Sequence, residues 1–122
     1  MVVSTIFENL LQYIYVGKCA LLENADKDEN EVADLLIAAD KYDVASLKEE
    51  CELYFSRILT VENAIQYLIF ASLHNAPELK ESVLDFMAKN IKIICSREEW
   101  RELIKINQDL FFEATQHLLL GM

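Results

Sequence analysis

The sequence predicts a mainly α-helical fold, a bundle of about six helices with at most one short strand pair. Two glycines and one proline in 122 residues supply few of the turns that a multistranded sheet needs. Apolar residues recur at three- and four-residue intervals along most of the chain, which is the period of a helix with one buried face. Hydrophobic residues make up 53% of the chain, so we expect helices packed around one core.

The first predicted helix spans about residues 5–16. A capping box, Thr5-x-x-Glu8, is expected to open it, and Gly17 is placed where a glycine commonly ends a helix. Phe7, Leu10, Leu11 and Ile14 are predicted to lie on one apolar face of this helix. Residues 18–22 are short and apolar, which is typical of either one strand or an extended connector.

Further helices follow, each with apolar residues at helical spacing. Their predicted first residues or N-terminal caps are Asn30, Asp43, Thr60, Pro77, Ser96 (in the capping box Ser96-x-x-Glu99) and Gln108. The helix that begins at Pro77 is expected to continue to about Ile94. Connections are short and no Pro-, Gly- or Ser-rich linker occurs, so the predicted segments 1–59 and 60–122 are expected to pack as one unit.

Composition and charge argue against several classes of protein. Eleven Lys and Arg against 21 Asp and Glu give a net charge of −10, which is unfavourable for binding nucleic acid or anionic membrane surfaces. No apolar stretch reaches the roughly 20 residues of a membrane span, and the first residues do not resemble a secretory signal. We expect a protein of the nucleus or cytoplasm, without a membrane partner.

The residues that carry chemistry form no recognisable catalytic, cofactor-binding or metal-binding motif. Cys19, Cys51 and Cys95 lie far apart and are predicted to be buried, reduced side chains. For His74 and His117 we expect structural or surface roles. The acidic groups at Glu49, Glu50 and Glu52 are expected to cover a solvated helix face. The sequence therefore predicts a protein that is not an enzyme and holds no cofactor or metal.

Aromatic residues near the C-terminus allow two interpretations. Trp100 and Phe111 fit core packing or an interface, with core packing favoured. Phe112 lies one step off the apolar stripe of its helix, so we predict that it contacts another chain.

Several motifs, in order along the chain, resemble BTB/POZ domains. Phe7-x-x-Leu10-Leu11-x-x-Ile14-Tyr15-x-Gly17 is similar to the late helix and "IYTG" turn of that family, with Val16 where Thr is usual. The run from Ala33 to Tyr42, with Leu47-Lys48 and Cys51, resembles the closing helices in the speckle-type, MATH-BTB group. Val61-Glu62-Asn63-Ala64, Ala71-x-x-His74 and Leu79-Lys80 are similar to the following 3-box and the start of a BACK region, and Trp100 matches a tryptophan of that group.

The resemblance implies an adaptor that joins the N-terminal domain of cullin-3 to a ubiquitin ligase complex without doing chemistry itself. By the same resemblance, Asp40 and Tyr42 lie on the cullin-facing side, and Asn63 belongs to the 3-box helices that extend it. The alternative is a structural or regulatory BTB fragment that associates with itself or with other BTB proteins without binding cullin.

The resemblance begins inside the BTB domain, so its first strand and helix, which form the family's homodimer, are not among the matched residues. In a whole BTB domain the stripe Phe7, Leu11 and Ile14 packs on the sheet. At about 2 kcal/mol for each large side chain buried, we expect this stripe to be covered by self-association or by the C-terminal helices.

Overall fold

A computed structural model describes residues 2–120, and within them every regular element is a helix. The predicted mainly α-helical class is confirmed, with more and shorter helices than expected. Their bounds are α1 Val2–Val16, α2 Ala20–Glu23, α3 Glu29–Lys41, α4 Ala45–Arg57, α5 Ala64–Leu73, α6 Pro77–Lys89, α7 Ile91–Ser96, α8 Glu98–Ile106 and α9 Gln108–Leu120. The chain divides into two compact units, Met1–Phe55 and Ser56–Met122. The sequence-based segments 1–59 and 60–122 stay a prediction.

In the first unit α1 packs on α3. Among the α1 side chains from Thr5 to Val16, Ile6, Asn9, Leu10 and Tyr13 are buried, whereas Phe7, Leu11 and Ile14 are exposed. The helix is apolar on two sides, and periodicity does not say which side meets a neighbour. Of the predicted apolar face, Leu10 is therefore buried, whereas the other three positions are exposed in the single chain.

The connector after α1 contains a short helix, α2, so both predicted alternatives, a strand and an extended connector, are wrong. Asn9 is buried, and its Oδ1 accepts a hydrogen bond of 2.9 Å from the backbone N–H of Leu21. Gln12 Oε1 accepts another, 2.8 Å long, from the N–H of Ala20. These two α1 side chains satisfy backbone donors that a helix leaves unpaired in its first turn, so they stabilise α2.

Several helix ends differ from the predicted caps. Gly17 does end α1, with φ of 79°, but α1 begins before the Thr5-x-x-Glu8 box. The cap of α3 is Asp28, whose Oδ1 accepts from the N–H of Asn30 at 2.9 Å. Asp43 adopts φ of 60° before α4, a left-handed conformation that Asp tolerates better than most residues. This conformation lets the chain turn sharply between α3 and α4.

The second unit is a set of packed helices in which α5 packs on α6, and α6 and α8 both pack on α9. Pro77 is the first residue of α6, as predicted. The helix ends at Lys89, because Asn90 turns its side chain back and donates from Nδ2 to the carbonyl of Phe86 at 2.9 Å. The continuous helix predicted to residue 94 is therefore two helices, α6 and α7.

Two predicted caps in the second unit are also wrong. Asn63, and not Thr60, precedes the first residue of α5. Ser96 is the last residue of α7 and donates from Oγ to the carbonyl of Ile93, so it does not cap α8. Arg97 is the N-cap of α8, without a side-chain hydrogen bond. A capping box is a short pattern that also occurs by chance. Here the box at Thr5 lies within α1, and the box at Ser96 begins at the last residue of α7.

The predicted burial is wrong for two side chains. Glu52 is buried, whereas the sequence predicts it on a solvated face. Cys95 is exposed, whereas Cys19 and Cys51 are buried as expected. Trp100 is buried and its ring centroid lies 4.7 Å from that of Phe111, which agrees with the favoured core interpretation.

Candidate protein-interaction surface

An apolar groove lies between α1 and α3 in the first unit, and we call it the α1–α3 groove. Its volume is about 310 Å³. It is lined by Ile6, Phe7, Asp34, Ile37, Ala38, Lys41 and Tyr42. Apolar side chains form most of this surface, with one acidic and one basic side chain beside them. This combination is typical of the centre of a protein–protein contact.

Tyr42 is held at one end of the groove. It is the C-cap of α3, and its backbone N–H donates to the carbonyl of Ala38. Its ring meets that of Phe7 edge to face, with 6.5 Å between centroids, and Lys41 Nζ lies 5.5 Å from the ring centre. About half of its surface, 51%, is exposed. Since neighbours on two sides restrict the ring, little conformational entropy remains to be lost when a partner binds.

Asp40 lies two residues before Tyr42, and its carboxylate is oriented by Lys48 of α4. Lys48 Nζ donates to Asp40 Oδ1 at 2.8 Å, and the Asp40 side chain keeps 40% of its surface exposed. The ion pair joins α3 to α4 across the turn at Asp43. Asp40 and Tyr42 are therefore both accessible and both fixed, as a preorganised contact requires.

The exposed side of α1 continues the apolar character of this region. Phe7, Leu11 and Ile14, which we call the α1 stripe, are 48%, 38% and 53% exposed. They are spaced at four and three residues, so they lie along one face of the helix. An apolar face exposed to water contributes nothing to the stability of a monomer. If a partner covers it, burial of the apolar surface stabilises the complex.

The other two predicted partner-binding residues belong to the second unit. Asn63 uses its side-chain amide within the turn before α5: Oδ1 accepts from the N–H of Thr60 at 2.8 Å, and Nδ2 donates to the carbonyl of Ile58 at 3.0 Å. Phe112 is exposed on α9, beside Phe111. Their roles in binding stay predictions.

Three ionisable side chains of the first unit, Tyr13, Cys19 and Cys51, are part of its packed core. Desolvation raises the pKa of the Cys51 thiol to about 12, and burial also raises the pKa of Cys19. Tyr13 donates from its hydroxyl to Glu50 Oε2 at 2.5 Å, and this bond raises the pKa of the tyrosine. A thiol that stays protonated at neutral pH is a poor nucleophile, so Cys51 has a packing role.

Sequence reasoning missed most of the groove. The sequence predicts Phe7 as part of an apolar face that needs covering, and it assigns no binding role to Ile37 or Lys41. A usable signal was present, because Ile37 lies outside the buried stripe of α3 and stands one turn before Lys41. An apolar side chain off the core stripe is a reason to look for a contact.

Comparison with known proteins identifies the family. Residues 1–59 match the family model of the BTB/POZ domain. Residues 1–59 are thus a BTB/POZ-type segment, and BTB/POZ domains mediate protein–protein interaction and self-association.

The similar full-length proteins are longer than this chain. "TD and POZ domain-containing protein 1-like" of Mus musculus is 38% identical over 113 residues, which are 93% of this chain and 30% of that protein. "TD and POZ domain-containing protein 5" of the same species is 35% identical over 105 residues, 86% and 30% of the two chains. "Protein maternal effect lethal 26" of Caenorhabditis elegans is 33% identical over 102 residues, 83% and 24%. The chain thus spans less than a third of the relatives it matches.

No helix within residues 2–120 combines the length and apolar character that crossing a bilayer requires.

Proposed function

We propose that the chain is a non-catalytic interaction module that recruits the N-terminal helical domain of cullin-3 to a ubiquitin ligase complex in the nucleus or cytoplasm. The observation that carries this proposal is the pair Asp40 and Tyr42, both fixed and accessible, of which Tyr42 lines the α1–α3 groove. An aromatic anchor next to an apolar groove, with a charged group at its edge, is the usual composition of an energetic centre in an interface.

The second unit contributes a further part of the proposal. We infer that residues 60–122 form a 3-box and BACK-like extension of the BTB segment. Support comes from the motifs in this region and from the close packing of α5 on α6, a helical pair directly after the BTB match. In this proposal Asn63 fixes the turn that leads into α5, and Phe112 offers an aromatic contact.

We expect Tyr42→Ala to weaken binding of the cullin-3 N-terminal domain by about 30-fold, the usual loss for an anchoring aromatic in an interface. Asp40→Ala is expected to weaken it by about fivefold, since a charge at the edge of a contact contributes less than its centre. Isothermal titration calorimetry with the full 122-residue chain measures both affinities. Circular dichroism of each variant checks that the helices are retained.

A matched control separates the carboxylate from its ion pair. Lys48→Ala removes the partner of Asp40 but keeps the carboxylate, so we expect it to bind within about twofold of the parent. Equal loss in Asp40→Ala and Lys48→Ala would assign the effect to the α3–α4 ion pair. Unchanged affinity in both Asp40→Ala and Tyr42→Ala would refute the cullin-binding face.

The second candidate function is association with itself or with other BTB proteins without cullin binding. The exposed α1 stripe favours it, because the exposure of three large apolar side chains on one helix face to water is energetically unfavourable. Covering them in an interface would contribute several kcal/mol at about 2 kcal/mol for each fully buried side chain.

We expect Leu11→Glu combined with Ile14→Glu to lower the association constant of the chain by at least about 100-fold, since each buried, unpaired charge costs several kcal/mol. Sedimentation equilibrium over a range of concentrations measures this. Leu73→Glu, at an exposed apolar position of α5, is the control and should leave association unchanged. A parent chain that is monomeric at every concentration would refute self-association through the stripe.

A further inference from the structure

Three metal-ligating side chains meet where α9 packs on α6, and we call them the α6–α9 cluster: Glu81, Asp85 and His117. One ligand atom from each lies within 4.8 Å of the other two. His117 Nε2 and Asp85 Oδ1 are hydrogen-bonded at 3.0 Å. The cluster combines an imidazole with two carboxylates and draws its ligands from two helices.

The helices hold the three side chains in register. Glu81 and Asp85 are four residues apart on α6, so they project from one face on successive turns. A second contact ties the same helices together, because Lys80 Nζ donates to Glu113 Oε1 at 2.8 Å. Glu113 lies one turn before His117 on α9. The position of the imidazole relative to the carboxylates therefore follows from the packing of α6 on α9.

The local charge favours a cation. Glu81 makes no ion pair within residues 2–120, and the neighbouring Lys80 is already paired with Glu113. Carboxylates and imidazole bind zinc at about 2.0–2.2 Å, which in a tetrahedral site puts the ligand atoms about 3.3–3.6 Å apart. Asp85 and His117 form a hydrogen bond of 3.0 Å, which an ion would replace by moving the two ligand atoms slightly apart. Glu81 reaches the tetrahedral separation by rotating an exposed side chain.

We propose that the α6–α9 cluster binds a first-row divalent cation of the zinc type, with Glu81, Asp85 and His117 as ligands and water at the open position. The imidazole selects zinc and its neighbours over magnesium and calcium, which prefer oxygen ligands alone. A bound ion joins α6 to α9 and stabilises the second unit, because it binds the folded arrangement and not the separated helices. This site is independent of the proposed cullin-binding face.

The test uses zinc chloride and the full-length chain. Cys95→Ser serves as the parent, because an exposed thiol is itself a zinc ligand. We expect about 100 µM zinc to raise the melting temperature by about 5 °C. Glu81→Gln and His117→Gln should each weaken zinc binding, measured by calorimetry, by at least about tenfold, a loss known even for outer-sphere partners. His74→Gln, which changes the other histidine, should leave it unchanged.

Cobalt gives a second readout on the same parent. A cobalt complex with nitrogen and oxygen ligands shows visible absorption without the near-ultraviolet band that thiolate ligands produce. We expect this spectrum, and its loss in His117→Gln. An equal melting shift in the parent and in both ligand variants would overturn the proposal, as would a thiolate band or no zinc binding at 100 µM in a folded parent. Helix content by circular dichroism establishes that each variant is folded.

Discussion

Trp100→Ala is expected to lower the free energy of unfolding of the second unit by about 3–5 kcal/mol, the range for removing a large aromatic side chain from a core. Only 9% of the Trp100 side chain is exposed, and its ring packs against Phe111 at 4.7 Å. Truncation would remove this contact and leave a cavity that the helices fill only in part. Urea unfolding followed by circular dichroism measures the loss.

Phe112→Ala is the matched control on the same aromatic cluster. Phe112 is 52% exposed, so we expect a cost below about 1 kcal/mol. A large loss of stability in Trp100→Ala and a small one in Phe112→Ala would support the core interpretation of Trp100 over the interface interpretation that the sequence left open. Equal stability of Trp100→Ala and the parent would contradict the core assignment of Trp100.

Cys51 is expected to react with a thiol reagent at pH 8.5 at least about a thousandfold more slowly than an unperturbed cysteine. The reactive species is the thiolate, and a pKa of about 12 leaves almost none of it at this pH. The side chain is also fully buried, which prevents access. Cys19 is buried too, so fast labelling should be confined to Cys95, the exposed thiol.

The labelling experiment has its own control. Cys95→Ser should abolish the fast phase, and urea should make the buried thiols react at ordinary rates. Peptide mapping after a short exposure identifies the labelled residue. Fast labelling of Cys51 in the folded chain would contradict both its burial and its raised pKa.

The same shift makes stability depend on pH. Above about pH 8.5 the unfolded chain releases the Cys51 proton while the folded chain keeps it. The free energy of unfolding should therefore be unaffected by this group below that pH and fall by about 1.4 kcal/mol per pH unit as the pH rises toward the folded pKa.

The sequence predicted the fold class because scarce glycines and helical spacing are local properties of the chain. It also predicted the bounds of α9. The start of α6 at Pro77 and the end of α1 at Gly17 were predictable because a single residue type fixes the backbone there. Caps were less predictable. Thr5, Asn30 and Ser96 are all competent to cap, yet the helices begin elsewhere because other contacts set their ends.

The candidate surface required more than local pattern. Motif resemblance predicted a role for Asp40 and Tyr42. Their fixed orientation, however, depends on contacts with Phe7, Lys41 and Lys48, which come from three helices. The α6–α9 cluster likewise depends on contacts between helices. Glu81 and Asp85 share a helix face by spacing alone, whereas His117 reaches them only through the packing of α9 on α6.

By itself, the sequence determined that this protein is helical and acidic and that its residues 1–59 match the BTB/POZ domain, because composition, charge and ordered motifs need no knowledge of packing. Tertiary structure alone decided which side of α1 is buried, since α1 is apolar on both sides and only its contact with α3 distinguishes them. That choice exposes Phe7, Leu11 and Ile14, and it leaves the α1–α3 groove open to a partner.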